Sequence, residues 1–305
     1  MVRGRLLVAG DASFTLIPGS PVPQSTLGVR SGRWAVSSAV AAIAVAVAAC
    51  AGTGDANITP RRAPPAIRFD SIRIAATEGD CASADGACAR VDIVYPLAES
   101  ATHQQVVDAI HQTAAEWLLG RPGDDARSAS PDTVAAQFIA TFLEFRRANP
   151  TLKPRWSLTR EVRVVLDTLD VVTLNGVQED YEGGPHGLTN AFWASFSLAT
   201  GKRLGVNELV APADTARFRA LAEGTFRKAR EFGPTASLAD SGFFTESGGR
   251  FTLPDNIGLT RDGLVLHYNQ YEVAAYAAGP TTVTLPWSAV KELIRPDSPA
   301  RMFVR

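Results

Sequence analysis

The alternation of residues 156–166 is the feature that most constrains the fold. Five apolar side chains share one parity and four polar side chains share the other: Trp156, Leu158, Val162, Val164 and Leu166 against Ser157, Thr159, Glu161 and Arg163. This period of two describes a strand with one face in the core and one face in water, which is typical of an antiparallel sheet. The buried face of such a sheet needs other elements to cover it.

Two helical patterns precede this strand. Apolar residues at positions 106, 110, 114, 117 and 118 share one helical face, which Ser100 or Thr102 would cap. A second helix is expected from Ser130-Pro131 to Asn149. Strands are predicted at 67–76, 89–96, 171–177, 192–198, 251–253, 264–268 and 282–285, and further helices at 206–210, 214–232 and 287–294. This mixed order predicts an α+β fold, with a mostly antiparallel sheet and helices packed on one side, in one domain or in two sub-domains.

Charge and motifs exclude several classes of protein. The formal net charge is −1, so the chain lacks the basic field of a nucleic-acid-binding protein, and no nucleic-acid partner is expected. The sequence contains no glycine-rich phosphate loop, no His-Glu-x-x-His zinc motif and no Gly-x-Ser-x-Gly nucleophile elbow. Its histidines, which are His103, His111, His186 and His267, are not paired at metal-ligand spacing. Neither a metal nor a cofactor is therefore expected.

The first 50 residues have the features of an export signal. Arg30 and Arg33 precede an apolar run of small residues that ends at Ala48-Ala49-Cys50. A basic flank and a short apolar run before small residues are typical of a secretory signal, and the run is shorter than the roughly 20 residues of a membrane span. The ending resembles a bacterial lipobox. Cys50 is therefore expected to carry a lipid that holds the protein in the cell envelope, facing the periplasm or the exterior; an ordinary signal peptide with a chance cysteine is the alternative.

The limits of the folded part follow from composition. Residues 1–28 contain three prolines and no clear period, so translation is predicted to begin near Val29 rather than at Met1. Residues 51–66 are small, polar and proline-bearing, which is typical of a flexible tether. The remaining chain is divided into an N-terminal module at 67–178, a C-terminal module at 179–295 and a tail at 296–305.

Cys81 and Cys88 are the other two cysteines of the chain. An even pair in an exported protein favours a disulfide, and the small, turn-prone residues between them suit a short closed loop. Two thiols without a nearby histidine do not fill a four-ligand zinc site. The pair is therefore predicted to close a hairpin between the strands at 67–76 and 89–96.

Two stretches share a mixture of tyrosine, glutamate, glycine and proline, and they are predicted to lie on one surface. They are residues 181–187 (YEGGPHG) and 271–280 (YEVAAYAAGP), with the candidate ligand-binding residues Tyr181, Glu182, His186, Tyr271, Glu272 and Tyr276. Aromatic faces stack on sugar rings, and carboxylates accept hydrogen bonds from hydroxyl groups. The structural alternatives are a tight turn fixed by its histidine and a strand end with amphipathic tyrosines at the rim.

Several separate pieces of the sequence resemble one known family. The two stretches above, together with TGKRL at 200–204 and LVLHY at 264–268, resemble the RsiV/PdaC-type extracytoplasmic domain. The segment VDIVYP at 91–96 before two helices resembles the module that commonly precedes it. The resemblance covers about residues 67–295. The family includes a lysozyme-sensing anti-sigma factor and a peptidoglycan deacetylase.

The resemblance implies an envelope domain with a binding role and no catalytic residues. The chain has no segment resembling the deacetylase domain, whose chemistry needs an aspartate and a pair of histidines on a metal. The leading hypothesis is a non-catalytic, lipid-anchored protein that binds peptidoglycan or a wall-acting protein such as lysozyme. The alternative is an enzyme acting on cell-wall sugar or peptide that uses His186 with Glu182 or Glu272. A third hypothesis is a structural lipoprotein that helps to assemble an envelope complex.

Overall fold

A computed structural model describes residues 67–120, 130–168, 170–247 and 249–304, and the backbone of residues 13–16. The predictions for Cys50, for the translation start and for the tether at 51–66 fall outside these residues. They remain predictions.

The described part of the chain contains one large mixed sheet. Its strands, in spatial order, are β1 (Ser13–Leu16), β2 (Arg68–Gly79), β3 (Cys88–Glu99), β4 (Arg155–Asp167), β5 (Val171–Tyr181) and β6 (Leu188–Ser197). Neighbouring strands are antiparallel except β3 and β4, which pair in parallel from Cys88↔Arg155 to Val94↔Glu161. Periodicity did not predict this parallel pair. It arises because two helices connect β3 to β4, so that the chain returns to the same end of the sheet.

Those helices are α1 (Gln104–Leu119) and α2 (Pro131–Ala148), and they cover one face of the sheet. Ser130 caps α2 as predicted, because its hydroxyl accepts a hydrogen bond from the amide of Thr133 at 3.2 Å. The cap of α1 differs from the prediction. His103 is its N-cap, and the Ser100 hydroxyl accepts the amide of His103 instead of an amide within the helix.

The second part of the chain builds a smaller antiparallel sheet and its own helices. Its strands, in spatial order, are β7 (Ile257–Leu259), β8 (Gly263–Tyr268) and β9 (Thr281–Pro286). The helices are α3 (Val206–Leu209), α4 (Thr215–Ala229) and α5 (Trp287–Val290), with 3₁₀ turns at Pro212–Asp214, Tyr276–Ala278 and Pro299–Phe303. Residues 251–253, which were predicted as a strand, lie outside the helices and strands. The predicted helix at 287–294 ends early, at Val290.

The fold is α+β, as predicted. The buried apolar residues form two clusters: one from the large sheet with α1 and α2, and one from the small sheet with α4, α5 and the C-terminal turn. The first sheet continues through β6 to Ser197, because β6 pairs along the whole of β5. Among the described residues, no helix has both the length and the apolar character needed to span a membrane.

The predicted disulfide between Cys81 and Cys88 is present, with the two Cα atoms 4.8 Å apart. It closes the turn between β2 and β3. The Arg155 guanidinium crosses the turn and donates to the carbonyl oxygens of Ser83 and Gly86 at 2.7 and 2.9 Å. The N-terminal end of β4 is thereby fastened to the hairpin.

Candidate functional site

Residues 181–187 form the turn from β5 into β6. Gly183 and Gly184 have φ angles of 85° and 101°, a region that glycine enters without steric cost. The Tyr181 hydroxyl donates to the carbonyl of Gly184 at 3.0 Å and holds the turn from within. Gly187 has a different role. A Cβ atom there would lie 3.0 Å from the carbonyl oxygen of Asp180, so it permits close approach of the backbone.

The second stretch follows β8 and begins with a strained residue. Tyr271 has a φ of 69°, which is uncommon for an aromatic residue, and its side chain is 63% exposed. Tyr276 opens the 3₁₀ turn Tyr276–Ala278 and is half-buried. Exposure of a large aromatic ring on strained backbone is a feature often found where a surface contacts a ligand.

The two stretches meet on one surface. The ring of His186 stacks on the ring of Tyr276 with centroids 4.2 Å apart and planes inclined by 22°. Tyr271 continues the row, with its ring centroid 5.7 Å from that of Tyr276. The Tyr276 hydroxyl donates to the carbonyl of Gly187 at 2.9 Å, which locks one loop to the other. We call His186, Tyr271 and Tyr276 the aromatic cluster.

His186 and Glu272 both form hydrogen bonds with nearby residues. Nδ1 of His186 lies 3.1 Å from the carbonyl oxygen of Gly187 and must donate, because a carbonyl only accepts. The predicted turn fixed by its histidine is thus present. The Glu272 carboxylate accepts a hydrogen bond from Nδ2 of Asn269 at 3.2 Å. Tyr181 and Glu182 lie half-buried at the start of the first loop.

Two asparagines hold the small sheet against β6, and the sequence analysis did not select either of them. Asn269 accepts from the amide of Ala191 and donates to its carbonyl, at 2.7 and 3.0 Å. Asn256 accepts from the amide of Trp193 at 2.6 Å and donates to the carbonyl of Ala191 at 2.8 Å. The side-chain amides therefore continue the ladder where β6 would otherwise have an open edge. We call Asn256 and Asn269 the amide clamp.

His267 supports the amide clamp from behind. It is buried between Thr282, whose Oγ1 lies 2.7 Å from Nδ1, and Asn269, whose Oδ1 lies 3.1 Å from Nε2. Because Asn Oδ1 only accepts, Nε2 carries the hydrogen and Nδ1 accepts from the threonine. Burial lowers the pKa of His267, since desolvation disfavours the charged ring. This histidine is a neutral structural group.

A buried polar group lies beneath the first loop. The Trp156 indole packs among the rings of Phe138, Phe142 and Phe145. Its Nε1 has no hydrogen-bond partner among the described residues, and it lies 3.7 Å from the position of a Cβ atom on Gly183. The alternation predicted that Trp156 is buried, but it carried no signal that its polar edge would face this loop.

Within the described ranges, no group of three or more His, Cys, Asp or Glu residues is arranged to hold a metal ion. The fold and site define an α+β protein with two packed sheets. The loops at the junction of these sheets present an aromatic cluster to solvent.

Comparison with known proteins is consistent with the resemblance to the RsiV/PdaC-type domain. Residues 207–288 match the family described as "Protein of unknown function (DUF3298)". A DUF3298 domain is thus found in the second part of the chain, and the similarity to the RsiV/PdaC-type domain is consistent with it. A search of curated proteins finds no match.

Two solved structures of DUF3298 family proteins resemble this fold. One is from Bacteroides fragilis NCTC 9343, with 18% identity and a TM-score of 0.53 over 76% of this chain and 95% of that one. The other is from Pseudomonas aeruginosa PAO1, with 16% identity and a TM-score of 0.52 over 75% of this chain and 95% of that one. At this identity the similarity concerns the fold alone.

Proposed function

We propose that this chain is a lipid-anchored protein of the cell envelope whose aromatic cluster binds peptidoglycan. The observation that carries the proposal is the row of His186, Tyr276 and Tyr271, which joins two distant loops on an exposed surface. Stacked and tilted rings of this kind offer apolar faces to sugar rings, while neighbouring carbonyls and carboxylates accept hydrogen bonds from hydroxyl groups. A wall-acting protein such as lysozyme is the second ligand that the predicted resemblance suggests.

Co-sedimentation with purified peptidoglycan sacculi tests the binding. A soluble form that begins at Ala51 is expected to pellet with sacculi, and Tyr271→Ala is expected to weaken this binding at an unchanged melting temperature. Leu152→Ala is the matched control, because Leu152 is also an exposed apolar side chain, at 51%, on the turn before β4. Equal binding by the two variants would contradict the proposal. Mass spectrometry of the pelleted sacculi then separates binding from modification, since a change of mass would indicate an enzyme.

The anchor has its own test. The disulfide between Cys81 and Cys88 supports a location outside the reducing cytosol. We expect labelled palmitate to enter the full-length protein in bacterial cells and to be absent from Cys50→Ser. Labelling of that variant would contradict lipidation at Cys50.

A further inference from the structure

A cleft of about 380 Å³ is lined by residues of α1, of the large sheet and of the small sheet with its loops. One wall is the stacked pair of Trp117 and Phe192, whose ring centroids are 5.5 Å apart. Arg203, Asp255 and Glu272 supply its charged groups. The volume lies within the range of about 300–1,000 Å³ that is usual for small-ligand sites.

The charged groups are held in place through the backbone of β6. Arg203 Nη2 donates to the carbonyl of Trp193 at 2.9 Å. Glu272 accepts a hydrogen bond from Asn269, whose side chain in turn bonds to both the amide and the carbonyl of Ala191. Their anchor points are two residues apart on one strand, or about 7 Å. A guanidinium and a carboxylate are thus both held from the same edge of β6.

The charges of the cleft indicate the chemistry of its ligand. Arg203, Asp255 and Glu272 are all exposed residues. One cation and two carboxylates give the lining a formal charge of −1. A ligand with one carboxylate and two ammonium groups would complement all three. The methylene chain between its two ends would pack against the aromatic wall, as the stems of lysine side chains pack on apolar surfaces.

We propose that this cleft binds a free diamino acid. The carboxylate meets Arg203, and the two ammonium groups meet Glu272 and Asp255. The guanidinium gives the carboxylate a planar, two-pronged partner. The residues that line the cleft include none of the aromatic cluster, and the test of the cleft needs no wall material.

Isothermal titration calorimetry with L-lysine as the probe tests the proposal on the folded protein. L-alanine lacks the second ammonium group and cadaverine lacks the carboxylate, so both are expected to bind more weakly than lysine. Glu272→Gln retains an oxygen that accepts from Asn269, and Asp255→Asn retains the shape of the side chain. Each is expected to lower the affinity for lysine about two- to fivefold, the effect of losing one exposed ion pair.

Asp297→Asn is the matched control, because it removes one exposed carboxylate outside the cleft and is expected to leave lysine binding unchanged. Absence of lysine binding up to about 10 mM would overturn the proposal, since even weak specific sites fall within this range. Equal binding of lysine and alanine, or of lysine and cadaverine, would also overturn it. The proposal would also be overturned if Glu272→Gln and Asp255→Asn both kept the natural affinity for lysine and the natural melting temperature.

Discussion

Two histidines, one buried and one half-buried, connect separate elements through hydrogen bonds. His267 joins β9 to the amide clamp, and Nε2 of His111, on α1, accepts the backbone amide of Ala98 at the end of β3. In both cases the ring satisfies a polar group that would otherwise lie unpaired in a poorly solvated site. The sequence identified these residues only as histidines without metal-ligand spacing, because their partners lie on other elements.

The free energy of unfolding is expected to decrease as the pH is lowered, because of the titration of His267. The folded state holds the pKa of this ring below its ordinary value of 6.5 because burial disfavours the cation. The unfolded chain therefore binds a proton first as the pH falls below about 6.5, and the contribution to stability that is present above that pH is lost. Melting temperatures measured from about pH 8 to pH 5.5 check this. The decline near pH 6 should be shallower in His267→Gln, and an identical decline in the variant would refute the assignment.

Two glycines make room for tryptophan rings. A Cβ atom on Gly176 would lie 2.5 Å from Cε3 of Trp117, and one on Gly258 would lie 2.3 Å from Cε3 of Trp193. Gly176→Ala is therefore expected to lower the free energy of unfolding by about 1–3 kcal/mol through overpacking, with a change in tryptophan fluorescence. Gly224 is the matched control, because it lies within α4 with no atom within 4 Å of an added Cβ. Gly224→Ala should stabilise the protein by about 0.5–1 kcal/mol, as measured by chemical denaturation.

At the scale of elements, the hairpin of β2 and β3 is held at its turn by covalent and polar contacts. The disulfide closes the turn, Arg155 reaches across it from β4, and Arg90 donates to the carbonyl of Cys81 at 2.6 Å. Because β3 pairs in parallel with β4, this end of the hairpin also sets where the returning strand begins. The turn thus fixes where the chain re-enters the large sheet, as β4, after α2.

Removal of the disulfide is expected to cost about 2–3 kcal/mol of unfolding free energy by the entropy of closing a short loop. The variant with both Cys81→Ala and Cys88→Ala should retain the circular dichroism spectrum and have a lower denaturation midpoint. A reducing agent should lower the midpoint of the natural protein to a similar value and leave that of the variant unchanged. No difference between oxidised and reduced natural protein would contradict this.

At the scale of the whole molecule, two hydrophobic clusters are joined through polar groups at β6. Asn256 and Asn269 bond to the backbone of this strand. Ser195 adds a further link by accepting the amide of Leu259 at 2.8 Å. Hydrogen bonds require defined distances and angles, whereas apolar contact is non-directional. These polar contacts therefore restrict the relative position of the two sheets more than apolar packing does.

Removal of the Asn256 side chain from the amide clamp should weaken the contact between the small sheet and β6. Asn256→Ala removes two hydrogen bonds and leaves the amide of Trp193 without its partner, so a loss of about 1–3 kcal/mol is expected. Asn207→Ala, at an exposed position of α3, is the control and should change stability little. Denaturation followed by tryptophan fluorescence and by circular dichroism measures both. Equal stability of the two variants would show that the clamp does not support the junction.

Much of the fold and part of the candidate site could be predicted from the sequence. Period-two alternation identified β4 and its buried face, Ser130-Pro131 identified the start of α2, and the two cysteines identified a hairpin. These features depend on local periodicity, capping and turn chemistry, which are written in neighbouring residues. The tyrosines of the two loops and His186 were selected for the same reason, because turn residues beside aromatic ones form a local pattern.

Only the tertiary structure decided which distant groups meet. The buried ion pair of Arg160 and Asp180, at 2.5 Å, places a charge on the parity of β4 that alternation predicts to be apolar. The parallel pairing of β3 with β4, the amide clamp and the cleft with Arg203 also depend on contacts between residues far apart in the chain. Local periodicity determines which face of an element is buried. The partner of each polar group is decided only when the elements pack, because desolvation favours pairing of a buried donor or acceptor with a group that the fold brings near.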